Sequence, residues 1–204
     1  MAEPLSAHWT VVYNLLINLK ITSERDVDRL IRDDTWMMDV LLAADELDLP
    51  NWWIGAGFLR NKIWNALEDK PSEVSRDVDL VYFDKDSVDP EIDWALDKKM
   101  QDKYPFAEWE VRNQARMHYK NGLDPFKSTE DGIAHWVETA TCIAVKKRAG
   151  ELAFLWCYGL DDVLNLVARP IEQYRTKDLL PIFMERLTVK RWQECWPNLT
   201  IKIN

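Results

Sequence analysis

Two aspartates one residue apart, Asp77 and Asp79, open the apolar run Val78 to Phe83. The segment Asp77–Asp84 reads as a β-strand, because β-branched and aromatic residues dominate its middle and no glycine or proline interrupts it. Side chains on a strand alternate between faces, so the two carboxylates point the same way. Like charges on one face repel unless a cation lies between them, and a hard divalent ion is the usual partner. The alternative is that both aspartates only cap the strand's solvated end. A third acid, Glu110, is flanked by Trp109 and Val111 in a second expected strand that begins at Glu108. Two ions about 3.5–4 Å apart need such a third carboxylate, since one aspartate pair cannot bracket both. Glu110 could instead form a structural ion pair with Arg112 or Arg116. Arg112, Asn113, Gln114, Arg116 and His118 follow as a dense polar set. They are candidate substrate contacts, or they stitch the sheet to a helix.

Upstream, Gly55-Ala56-Gly57 leaves a short strand at 52–54 and enters a helix expected over 58–67. A glycine turn that opens a helix presents free backbone N–H groups at a positive dipole end, where anions such as phosphate bind. Arg60 and Asn61 fall in the first turn and would assist, although glycine can also serve turn geometry alone. Among the remaining reactive side chains, His135 reads as a satisfied core histidine. Cys157, beside Trp156, reads as packing, because nothing nearby in sequence would lower its pKa.

The elements that must position these groups are mixed. Residues 5–49 read as helical, with an apolar stripe at Leu5, Trp9, Val12, Leu15, Leu16 and Leu19. Thr22 or Ser23 caps a segment through Ile31, another helix starts near Thr35, and Pro50 stops the run. After the carboxylate strand, a helix is expected over 93–103 and a Ser128-capped helix through Val137. Strands at 139–146 and 151–158 form a hairpin around 148–150. Gly159 to Asp162 open a helix through Val167, and a last helix covers 178–196 before an edge strand at 199–203. The reading is one α+β domain over 1–204: a helical part at 1–49, a catalytic core at 50–120, and C-terminal helices with a hairpin at 121–204.

No apolar run reaches the ~20 residues of a membrane span, and the N-terminus lacks the pattern of a signal peptide. Three cysteines at unrelated spacings suit a reducing, cytoplasmic compartment. The formal net charge of −9 repels polyphosphate backbones, so stable nucleic-acid binding is disfavoured, while a nucleotide held by a metal is not.

A glycine turn into a helix, a strand bearing two aspartates, and a later strand bearing a glutamate together resemble the nucleotidyltransferase superfamily typified by DNA polymerase β. More narrowly, residues 55–64, 77–84, 109–118, 136–145, 159–163 and 190–199 resemble a family of bacterial nucleotidyltransferase-like proteins of unassigned substrate. The resemblance implies a small mixed sheet backed by helices, with N- and C-terminal helices added. It implies that Asp77, Asp79 and Glu110 hold Mg2+ (or Mn2+) and that Gly55, Ala56, Gly57, Arg60 and Asn61 bind the nucleotide. The reaction implied moves an NMP from an NTP to a small-molecule or protein acceptor; a nucleotide-binding or protein-interaction module that has lost transfer is the alternative. The chain departs from the superfamily at Ala56 and Gly57, one of which stands where a small hydroxyl residue is common. It also leaves 19 residues between Gly57 and Asp77.

Overall fold

The computed structural model describes residues 21–71 and 76–203. The apolar stripe expected between Leu5 and Leu19 lies outside them. Helix α1 (Glu24–Arg32) starts where Ser23 Oγ accepts from the Asp26 amide at 3.3 Å. Asp34 does the same for α2 (Thr35–Asp45), accepting from Met37 N at 3.1 Å. Strand β1 (Trp53–Gly55) then leads into α3 (Gly57–Leu67), and β2 (Asp77–Tyr82) follows. Helix α4 (Pro90–Lys103) begins three residues before the expected Asp93. Pro90 suits the first helical position, whose amide needs no partner, and Asp89 caps it through the Glu91 amide. Strand β3 (Glu108–Asn113) ends in the short helix α5 (Gln114–Met117), and α6 (Thr129–Ala134) takes Ser128 as its cap. The hairpin comprises β4 (Ile143–Arg148) and β5 (Glu151–Trp156), joined by a turn with positive φ at Ala149 and Gly150.

One five-stranded sheet has the order β3-β2-β1-β4-β5. Only β2 and β3 are parallel, with α4 as the crossover such a pair requires; the other neighbours are antiparallel. The hairpin thus completes the sheet beside β1 and does not stand apart among the C-terminal helices. Alternation sorts the strands into two faces. Ile54, Val78, Leu80, Val111, Ile143 and Val145 are buried with Phe58, Leu59 and Ile63 of α3 in the main core. Asp77, Asp79, Glu110 and Arg112 belong to the opposite face. Its apolar part, at Trp53, Val81 and Ala144, is covered by Ile133 and Trp136.

The C-terminal region departs most from the expected elements. A four-residue α7 (Asp161–Leu164) gives way to β6 (Val167–Ala168), which pairs with β7 (Thr200–Ile201) in a separate parallel sheet. The single last helix is two, α8 (Leu180–Lys190) and α9 (Trp192–Cys195), broken at Arg191 with φ 50°. The break seats Trp192 and Trp196 edge-on against Trp64, at centroid distances of 5.5 and 5.0 Å. Aromatic pairs of this geometry, with their buried area, outweigh one residue's cost in the left-handed region. Among the described residues no helix is long and apolar enough to cross a membrane.

Candidate active site

Register decides where the acids stand. β2 and β3 pair so that Asp77 faces Glu108 and Asp79 faces Glu110. Asp77, Asp79 and Glu110 line one cleft of about 560 Å³, together with Ala56, Gly57, Arg60 and Asn61 from the β1–α3 turn. Burial pushes the Asp79 carboxyl up to about 6, and the charges of Asp77 and Glu110 push it the same way. Arg60 and Lys190 pull it back only in part, and no hydrogen bond supports its charged form. Asp79 is therefore a carboxylate short of positive charge.

The turn before α3 is tighter than its composition suggests. Gly55 has no room for a side chain, because a Cβ there would lie 2.7 Å from the Trp136 ring and 2.9 Å from the Ile143 carbonyl. Ala56 takes φ 53° and ψ −124°, a conformation that favours glycine, and its amide bonds the Ile143 carbonyl at 3.2 Å. No side chain caps α3, so its first-turn amides open on the cleft. Arg60 is buried beneath that turn. Its Nη1 donates to Thr141 Oγ1 at 2.7 Å and its Nη2 to Asn61 Oδ1 at 2.9 Å. The guanidinium lies 4.3 Å from the centre of the Trp192 ring, and Nε is buried without a partner. Burial lowers its pKa to about 10, against support from Glu138 and Asp79. The guanidinium remains charged at neutral pH.

The polar set after Glu110 divides. Arg112 and Gln114 line the cleft. Asn113, Arg116 and His118 do not. Asn113 bonds the backbone of Asp84, Ser87 and Ala115, and Arg116 pairs with fully buried Asp93. His118 is buried against Tyr119 and Phe126, with Nδ1 unpartnered. Glu110 Oε1 sits 3.1 Å from Arg112 Nε, the ion pair weighed above as the alternative to ligation. Among the described residues no three His, Cys, Asp or Glu side chains converge closely enough to hold one ion.

Several cleft residues escaped the sequence reading. Arg186 and Lys190 of α8 bring positive charge to the cleft, and Arg186 is held at 2.6 Å by fully buried Glu138. The segment 190–199 had been singled out by resemblance, but without a role for Lys190. His135 is not a core residue: its side chain is 36% exposed, lines the cleft and stacks on Phe126 at 5.1 Å. It caps the C-terminus of α6, and its Nδ1 lies 2.7 Å from the Asp131 carbonyl, so it is a satisfied histidine at the cleft wall. Cys157 behaves as packing, its thiol pushed up to about 12 by burial.

A profile of the family described as Nucleotidyltransferase matches residues 42–201. The chain belongs to the nucleotidyltransferase family. A structure solved by NMR, described as revealing a CCA-adding enzyme head domain, superposes with a TM-score of 0.81 at 30% identity, over 91% of this chain and 99% of that one. A CCA-adding enzyme solved in complex with CTP superposes with a TM-score of 0.54 at 13% identity, a likeness of fold alone; the match covers 86% of this chain and 43% of that one. No curated protein matches the chain. The nucleotidyltransferase fold expected from the resemblance, a mixed sheet with helices, is the fold found. Nucleotidyltransferases generally use divalent metals. The donor types here suit one: Asp77 and Asp79 offer hard carboxylate oxygens that form no ion pair among the described residues, and the excess negative charge on Asp79 is what a divalent ion would balance.

Proposed function

We propose that this nucleotidyltransferase moves a nucleoside monophosphate from an NTP to a small-molecule or protein acceptor. Asp77, Asp79 and Glu110 would hold the divalent metal, Mg2+ or Mn2+. The observation that carries the reading is Asp79, under-neutralised between Asp77 and Glu110 in a cleft that also opens on the N-terminus of α3. In the reaction an acceptor oxygen would bond to the α-phosphorus while the bond from that phosphorus to pyrophosphate breaks, and the acceptor's proton would pass to solvent. A divalent metal held by these acids would supply Lewis-acid stabilisation of phosphate charge and lower the pKa of the attacking hydroxyl.

The chain's own residues do the rest. The uncapped amides at Gly57 and the next residues of α3 receive the phosphates, with the helix dipole behind them. Arg60 stands behind this turn and holds Asn61 toward the cleft. Lys190 and Arg186 offset phosphate charge from α8, so the leaving pyrophosphate has cations beside it. Trp136 and Phe126 add aromatic surface to the cleft lining.

A second reading, nucleotide binding without transfer, draws on Glu110 being engaged by Arg112 and on Ala56 or Gly57 standing where the superfamily commonly has a small hydroxyl residue. Incubation of the protein with Mg2+ and each α-labelled NTP in a cell extract separates the two. Transfer predicts label on a new species with wild type and none with Asp77→Asn. Saturable binding of the same NTPs with no labelled product would replace the first reading by the second.

A further inference from the structure

Glu110 is as close to Asp79 as a sheet allows. The two residues are direct neighbours across the parallel β2–β3 ladder, where strands lie roughly 4.8 Å apart. Yet among the described residues no three acidic side chains converge on one point, and the Glu110 carboxylate has Arg112 beside it. Arg112 Nε meets Glu110 Oε1 at 3.1 Å. The other side of the guanidinium is anchored: Nη1 donates to Asp97 Oδ2 at 2.7 Å and to the Val111 carbonyl at 2.6 Å. Asp97 is fixed in turn by the Val111 amide, 2.6 Å from Oδ1. Arg112 cannot follow Glu110 inward without breaking these bonds.

We infer that Arg112 is a positioning residue that competes with the metal for Glu110, holding this carboxylate back from Asp77 and Asp79 until a divalent cation draws it in. The inference rests on the proposed role of the three acids as ligands. Two consequences follow from charge. Before a cation enters, the Arg112 contact offsets part of the negative charge that Asp77, Asp79 and Glu110 bring to the cleft. A cation entering the cleft must then displace the contact, and this weakens its binding. The contact is a brake and not a lock, because the Glu110 side chain is 46% exposed and a pair so exposed is worth little. Asp97 sets its strength: with its charge present, much of the positive charge on Arg112 is already spent.

Mn2+ alone, followed by loss of the free-ion EPR signal on the full chain, tests this. Arg112→Gln is expected to bind Mn2+ tighter than wild type by up to about fivefold, the most an exposed pair supplies. Asp97→Asn, which leaves the Arg112 charge without its far-side partner, is expected to bind Mn2+ more weakly. A purely structural role would move both variants the same way, toward weaker binding, and that result overturns the inference. So does unchanged Mn2+ affinity in Arg112→Gln. Misfolding cannot mimic a gain in affinity; should Arg112→Gln fail to fold, Arg112→Met, which removes the same charge and keeps the aliphatic stem, is expected to show the same gain, and unchanged or weaker binding by it overturns the inference. The paired variant Asp77→Asn/Asp79→Asn separates the two levels. If it binds Mn2+ as wild type does, the ligand assignment itself fails; if it loses Mn2+ while Arg112→Gln is unchanged, only the role of Arg112 fails.

Discussion

Replacing Asp79 by asparagine should stabilise the metal-free protein at neutral pH. In the folded chain the Asp79 carboxyl titrates near 6, against an ordinary value of 3.8. A group whose folded pKa is raised binds its proton more tightly in the folded state, so stability falls as pH rises through this window. Below the ordinary value the carboxyl is protonated in both states and costs nothing. Above about 6 the full cost of holding the charge is present. Two pKa units correspond to about 3 kcal/mol, and solvent reaching Asp79 through the cleft reduces this to about 1–3 kcal/mol. The asparagine loses no hydrogen bond, because none supports the carboxylate. Urea unfolding in EDTA at pH 7.5 should thus give a higher midpoint for Asp79→Asn than for wild type, and the gap should close toward pH 4. Adding Mg2+ should raise the wild-type midpoint and leave the variant where it was. A variant no more stable than wild type at pH 7.5, or an advantage that persists undiminished at pH 4, would refute the electrostatic account of the cleft.

Other outcomes follow from single contacts. Asp93→Ala should cost about 3–5 kcal/mol, since it leaves Arg116, the Tyr82 hydroxyl and the Asn113 amide without their buried acceptor; a denaturant melt measures it. Ala56→Gly should raise stability by about 1 kcal/mol by relieving the positive φ, whereas Gly55→Ala should destabilise against the Trp136 ring. In the native protein iodoacetamide should label exposed Cys195 ahead of buried Cys142 and half-buried Cys157, whose thiols are raised in pKa, with both reacting after unfolding.

What could be read from the sequence was local. Ser23 and Ser128 announce helix starts because a side-chain oxygen can satisfy an amide within the same turn. The Asp77–Asp79 alternation reveals a shared face because strand geometry has period two. Both readings of Glu110 come from the same parity, since Arg112 lies two residues on and on the same face; the structure adds the contact between them. Long-range partners left no such trace. Nothing near Ile143 says that its strand will join β1, and nothing near Arg191 says that three tryptophans will break the last helix there. Arg186 and Lys190 reach the cleft from more than a hundred residues beyond Asp79, so no spacing rule could have connected them to it. His135 is satisfied by the Asp131 carbonyl as its sequence suggests, but the end of α6 at Ala134, which places it at the cleft wall, has no signal in the residues around it.

The central claim is that Asp77 and Asp79 bind a divalent metal together with a nucleotide. Calorimetric titration of ATP and CTP in the presence of Mn2+, into wild type and into Asp77→Asn/Asp79→Asn, tests it most directly. The account predicts saturable, Mn2+-dependent nucleotide binding by wild type that is lost in the double variant and lost from wild type in EDTA. Nucleotide binding of equal strength in both proteins, with or without Mn2+, would contradict it.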